Sequence, residues 1–129
     1  MSLQDRINLW KAQAEHDLFA AEENLKIKLF DICLIQCEQA VEKILKALFI
    51  KVKKTEPPKT HNLEILLDEF EAIKELKEFI TQIDMYYFTL RYPSMADDVP
   101  YSLVSEADAV KGLDNARLVF ARIKEEFNL

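Results

Sequence analysis

The chain reads as an all-α protein, an up-and-down antiparallel bundle of four to five helices. Three observations predict it. Half of the 129 residues are apolar and 31% are charged, a balance that suits amphipathic helices. There is a single glycine, whereas a β-rich fold would need many tight turns. The apolar residues also recur in steps of three and four over long stretches. A chain of this length is expected to be one domain, residues 1–129. It can bury around two-thirds of the surface that its unfolded form exposes, so it needs no metal or disulfide to fold.

The first helix is expected from Ser2 or Leu3 to Lys28. Leu3, Ile7, Trp10, Ala14, Leu18, Ala21 and Leu25 keep the rhythm, and Ser2 with Asp5 has the spacing of a capping box. Lys11, Glu15, Glu22, Glu23 and Lys26 occupy the other faces, as on the outside of a bundle. Trp10 is read as a core anchor. Only a short link, near Lys28 to Asp31, separates this helix from the next, so the two should form an antiparallel hairpin.

The central helix, about Phe30 to Val52, would be roughly 35 Å long. Cys33, Cys37, Ala40, Ile44 and Leu48 make one apolar stripe, and Leu34, Ile35, Val41, Leu45 and Phe49 extend it around the circumference. A helix apolar on more than one side needs neighbours on more than one side. Gln36, Gln39, Glu42, Lys43 and Lys46 are interleaved, too many polar groups for a membrane span. Cys33 and Cys37 lie four apart on a helix, with Cβ atoms about 5–6 Å apart where a disulfide needs about 4 Å. Buried, reduced cysteine is the expected state.

Pro57-Pro58 ends that helix. Thr60 or Asn62 can then cap a third helix whose Leu63, Leu66, Leu67 and Phe70 face inward. Ile73, Leu76, Ile80, Ile83, Tyr87 and Leu90 continue the rhythm. It fits one helix over residues 62–90 or two with a kink near Glu71. Pro93 and Pro100 mark the next break. The last helix should start at Ser105, with an acid at Asp108 completing a capping box, and run to about Phe127. Ala109, Leu113, Ala116, Phe120, Ile123 and Phe127 form its seam, and Gly112 beside the seam either allows a close approach or, as is more common, is a tolerated cost of about 1 kcal/mol.

The net charge is −6. Residues 1–60 hold ten Lys and Arg against nine Asp and Glu, and residues 61–129 hold seven against fourteen, so the acidic excess is C-terminal. That excludes general coating of a polyanion, although a local basic patch could grip a few phosphates. Lys51, Lys53, Lys54 and Lys59 are the candidates, and they read first as solvated residues at a helix end. With no signal segment and no membrane span, the expected compartment is the cytoplasm.

Much chemistry is absent. The one glycine lies inside the last helix, which removes Gly-rich phosphate cradles. Three residues before His16 stands Gln13, and before His61 stands Pro58, so the Glu-x-x-His of di-iron bundles is missing. No metal, no cofactor and no nucleophile with its base is expected. His16 should be solvated, and His61 should cap or pack at the start of the third helix. Asp17 falls beside the apolar stripe and can pair with Lys43 or Lys46 across the hairpin. The Arg91-Tyr92-Pro93 corner, followed by Asp97 and Asp98, is the best recognition candidate. Its guanidinium fork suits a phosphate, or else a salt bridge with Asp84, Asp97 or a helix end.

Several pieces occur together: Trp10 with Asp17-Leu18 and Ala20-Ala21; Gln39-Ala-Val-Glu-Lys-Ile-Leu-Lys-Ala-Leu48; Thr60-His-Asn-Leu with a later Leu66-Leu67; and Arg91-Tyr92-Pro93 before a helix near Glu106-Ala107. In this order, over almost the entire chain, they resemble the HEPN domain family (higher eukaryote and prokaryote nucleotide-binding). The resemblance implies a helical bundle that commonly forms a homodimer, often made alongside a minimal nucleotidyltransferase. It also implies a link to metal-independent ribonucleases that use Arg-x(4–6)-His at a dimer interface. Arg91 would be that arginine, but Ala96, Asp97 and Asp98 stand where the histidine would, and none follows. Without an imidazole the acid–base step lacks its usual agent. The expectation is a non-catalytic module that binds a nucleotide, RNA or a nucleotidyltransferase partner through Arg91, Tyr92, Asp97, Asp98, Asp17, Lys43 and Lys46. The alternative is a ribonuclease, the toxin of a toxin–antitoxin pair, using Arg91 with a carboxylate or His61 as base.

Overall fold

A computed structural model gives the backbone of residues 1–129 and every side chain but that of Ala96. The described residues form six α-helices and two 3-10 turns, with no strand. Four helices have eight residues or more: α1 (Leu3–Lys26), α2 (Phe30–Lys53), α4 (Lys77–Asp84) and α6 (Glu106–Phe127). The short α3 (Leu63–Leu67) and α5 (Pro93–Ala96) lie in the connections.

The helix starts follow from local chemistry. Ser2 Oγ accepts from the Asp5 amide at 3.0 Å while Asp5 Oδ2 accepts from the Ser2 amide at 3.0 Å. Ser105 and Asp108 repeat this box at 3.2 and 2.9 Å, so each box satisfies two donors that a helix start leaves free. Asn62, of the two expected caps, takes the Ile65 amide at 3.1 Å. Between α1 and α2 only Ile27 to Leu29 intervene.

Thirteen of the 24 residues of α2 are buried, more than one face of a helix can offer, so companions lie on several sides of it. Helices α1, α6, α3 and α4 all pack against it. Val41, Leu45 and Leu48 have no exposure and join Leu63, Leu66, Ile80, Leu113 and Ala116 in the main core. Leu34 faces a smaller cluster with Leu90 and Val104. A Cβ added at Gly112 would overlap Leu34 Cδ2, which explains why a glycine stands inside α6 despite a helix-propensity cost of about 1 kcal/mol. Cys33 and Cys37 are buried and free.

Residues 62–90 are broken near Glu71. After α3 the chain turns at Phe70, forms a 3-10 turn over Glu71–Leu76 with Ile73 off helical geometry (φ −124°, ψ 24°), and only then enters α4. Phe70 fixes the corner by packing edge-on against Phe49 and Phe127, with centroids 6.4 and 6.0 Å away. No described helix is long and apolar enough to cross a membrane.

Candidate functional site: a charged row on the central helix

Along one side of α2, Glu38, Glu42 and Lys46 follow each other at intervals of four, which aligns them on successive turns. All three are buried. Buried charges must be paired, and each is. Glu42 Oε2 accepts from Lys46 Nζ at 3.2 Å, and Glu42 Oε1 lies 2.8 Å from His61 Nδ1. Glu38 Oε2 accepts from Arg91 Nη1 at 2.6 Å. The same nitrogen donates to the Tyr87 carbonyl at 3.0 Å, and the guanidinium lies over the Tyr87 ring at 4.3 Å. The His61 ring stacks against Tyr87, 5.9 Å between centroids and 24° from parallel.

This arrangement corrects several expectations. Arg91 pairs with neither Asp84 nor Asp97; it turns inward to Glu38, because a carboxylate buried on α2 is the nearest group that must find a cation. Lys46 does not reach Asp17, which is paired with Lys43 and accepts from Gln13 at 2.9 Å. Lys46 instead points along its own helix to Glu42. Trp10 is half-buried and stays outside the main core, with Lys46 Nζ 5.4 Å from its ring centroid. His61 leaves the cap of α3 to Asn62 and packs at the start of that helix, against Tyr87 and Glu42. Its side chain is 63% exposed while its acceptor, Glu42, is 5% exposed.

The remaining candidates lie apart. Tyr92, Asp97 and Asp98 are exposed. Asp98 Oδ1 accepts from the Val99 amide at 2.7 Å, and Asp97 occupies a left-handed turn at φ 56°. The lysine patch is dispersed too: Lys51 bonds the Asn128 carbonyl at 2.9 Å, and Lys53 lies 3.6 Å from Glu69. Lys59 lines a cavity of about 380 Å³ with Trp10, Lys46, Glu56, Pro57, Pro58 and His61. Beyond His61, a second cavity of about 320 Å³ is walled by Asn62, Asp84, Tyr87 and Phe88.

Electrostatically the row is balanced but strained in its hydrogen bonding. Glu38 Oε1 and Arg91 Nη2 are sealed from solvent without a partner, so the pair uses one arm of a fork that could use two. Burial pushes the Glu38 carboxyl above its ordinary value, with Arg91 pulling the other way. Burial likewise raises Asp84 and the Tyr87 phenol. No group of three or more His, Cys, Asp and Glu among the described residues is placed to hold a metal ion. The arrangement can therefore do two things: present an imidazole oriented by a buried carboxylate, and hold an anion beside a buried ammonium.

Glu38 and Glu42 were missing from the expected site, and His61 entered it only as the base of the ribonuclease alternative. The available signal was the interval of four from Glu38 to Glu42 to Lys46 inside an otherwise apolar helix.

Among known proteins, the HEPN domain family model matches residues 7–126. The crystal structure of TT1696 from Thermus thermophilus is similar at a TM-score of 0.83 and 26% identity, over 93% of this chain and 97% of that one. That of ST0689, an archaeal HEPN homologue, is similar in fold at a TM-score of 0.74 and 24% identity, over 98% of both chains. No curated protein matches. A family match spanning nearly all of the chain, over a bundle of the same shape, leads to one conclusion: the chain belongs to the HEPN domain family.

Proposed function

We propose that this HEPN domain is a binding module that does not cut RNA: a helical homodimer holding a nucleotide or RNA phosphate at the cleft beside His61 and Lys46. The carrying observation is the commitment of Arg91. Its guanidinium is bonded to a buried carboxylate and a backbone carbonyl, and Ala96, Asp97 and Asp98 offer no imidazole in the span where the ribonuclease motif needs one. Single-stranded RNA incubated with the purified protein is expected to stay intact while its mobility shifts in a gel.

One observation favours a second reading, the ribonuclease. His61 Nδ1 lies 2.8 Å from the buried Glu42 carboxylate, which orients an exposed imidazole beside the cleft. Cleavage that disappears in both Arg91→Ala and His61→Ala would install that reading in place of the first.

Dimerisation is supported by the large apolar side chains exposed between residues 85 and 101: Met85, Phe88, Tyr92, Met95 and Tyr101. Light scattering should give twice the chain mass. Phe88→Glu is expected to yield a monomer, whereas Val110→Glu, exposed on α6, should leave the dimer intact. A minimal nucleotidyltransferase is the protein partner that family membership favours, and co-purification after co-expression tests it.

A further inference from the structure

We propose that the phosphate-bearing ligand sits in the cavity between Trp10 and the Pro57-Pro58 loop, away from the Arg91 guanidinium, and that it is a nucleoside monophosphate, free or as the 5′-terminal nucleotide of an RNA. This rests on the binding reading above and gives it a place and a ligand class.

The floor of the cavity holds a buried ammonium. The Lys46 side chain is 8% exposed, and its ammonium makes one hydrogen bond to Glu42. An ammonium carries three donors, so a buried one with donors to spare beside a cavity is a ready anion site. The exposed Lys59 and His61 border the same space. The nearby carboxylates are already engaged: Glu56 with Arg6, and Glu42 with both Lys46 and His61. Glu42 offsets the charge of Lys46 but occupies one of its three donors, so an incoming phosphate meets ammonium donors left unused.

The walls are ring-shaped and apolar. The Trp10 indole and two consecutive pyrrolidine rings offer flat surface to a planar heterocycle. The proline pair also stiffens the loop, so little ordering accompanies binding. A volume of about 380 Å³ lies at the small end of ligand sites, in keeping with one nucleotide and too little for a chain. The Arg91 corner offers none of this, since its guanidinium is held by Glu38.

Trp10 is the only tryptophan in the chain, so its emission reports this cavity alone. Titration with AMP is expected to change that emission saturably, with adenosine and inorganic phosphate each about tenfold weaker or worse. Lys46→Met and the surface variant Lys59→Ala should both weaken AMP and leave adenosine unchanged. A short RNA with a 5′-phosphate that outcompetes AMP, and beats its 5′-hydroxyl twin, assigns the site to RNA ends; AMP outcompeting both assigns it to the free nucleotide. Calorimetric binding of AMP that leaves Trp10 emission and the Lys46→Met and Lys59→Ala affinities untouched overturns this placement only. Absence of binding by AMP and by both RNAs in either readout overturns it together with the binding reading.

Discussion

Replacing Arg91 with methionine is expected to destabilise the protein by about 3–5 kcal/mol at neutral pH, and most of that loss should be recovered on acidification. The substitution keeps the bulk of the side chain and removes its charge, leaving Glu38 with 2% exposure and no cation. A buried unpaired carboxylate can escape only by taking up a proton.

The direction of the pH effect follows from the carboxyl itself. Burial already holds Glu38 above its ordinary value of 4.5, with Arg91 opposing and Glu42 adding to the rise. Taking away Arg91 removes the opposing influence, so the folded value rises further. A folded value above the unfolded one means that the native state binds more protons. The contribution is then fully present below about 4.5 and is lost as pH rises through the folded value. Urea unfolding at about pH 5 and about pH 8 should therefore diverge for Arg91→Met far more than for the parent. Removing both charges with Arg91→Met and Glu38→Leu should restore much of the stability at either pH, because an apolar pair incurs no desolvation of charge. A pH-independent loss in the single variant would show that the Glu38–Arg91 contact is not the buried pair described.

Most of the backbone was legible because it is written in local chemistry. The two Ser-to-Asp capping boxes and Pro57-Pro58 each act within a few residues, so α1, the end of α2 and the start of α6 lie close to where those signals put them. The corner at Phe70 was harder. Apolar steps of three and four keep one side buried in an α-helix and in a 3-10 turn alike, so Ile73 and Leu76 are buried as expected while the backbone beneath them changes form. What bends it is the packing of Phe70 on Phe49 and Phe127, residues distant in the chain.

The site was less legible for the same reason. Asp17 and Lys43 could be matched because a hairpin brings facing positions together. Arg91 meeting Glu38 is separated by 53 residues, and no periodicity encodes which buried acid a distant arginine will choose. Glu38 carries no mark in the sequence beyond being four residues before Glu42 in an apolar run. His61 gained its role from the tertiary proximity of Glu42 and Tyr87, neither of which is its neighbour in sequence.

Since the row of charges is held by α2, the stability of that helix within its surroundings bears on the site directly, and truncating Leu48 to alanine should cost about 2–5 kcal/mol. Leu48 has no exposure and lies in the main core two residues beyond Lys46, so removing its methyl groups opens a cavity that close-packed neighbours fill only in part. Val52, one turn further on the same helix, is 41% exposed, and Val52→Ala should stay within about 0.5 kcal/mol of the parent. The contrast separates burial from helix propensity, because alanine is the better helix former at both positions and would stabilise both if propensity governed. Chemical denaturation of the two variants decides between these accounts. Equal midpoints would mean that α2 is not enclosed on the Leu48 side, and the burial of Glu42 and Lys46 in the preceding turns would lose its structural basis with it.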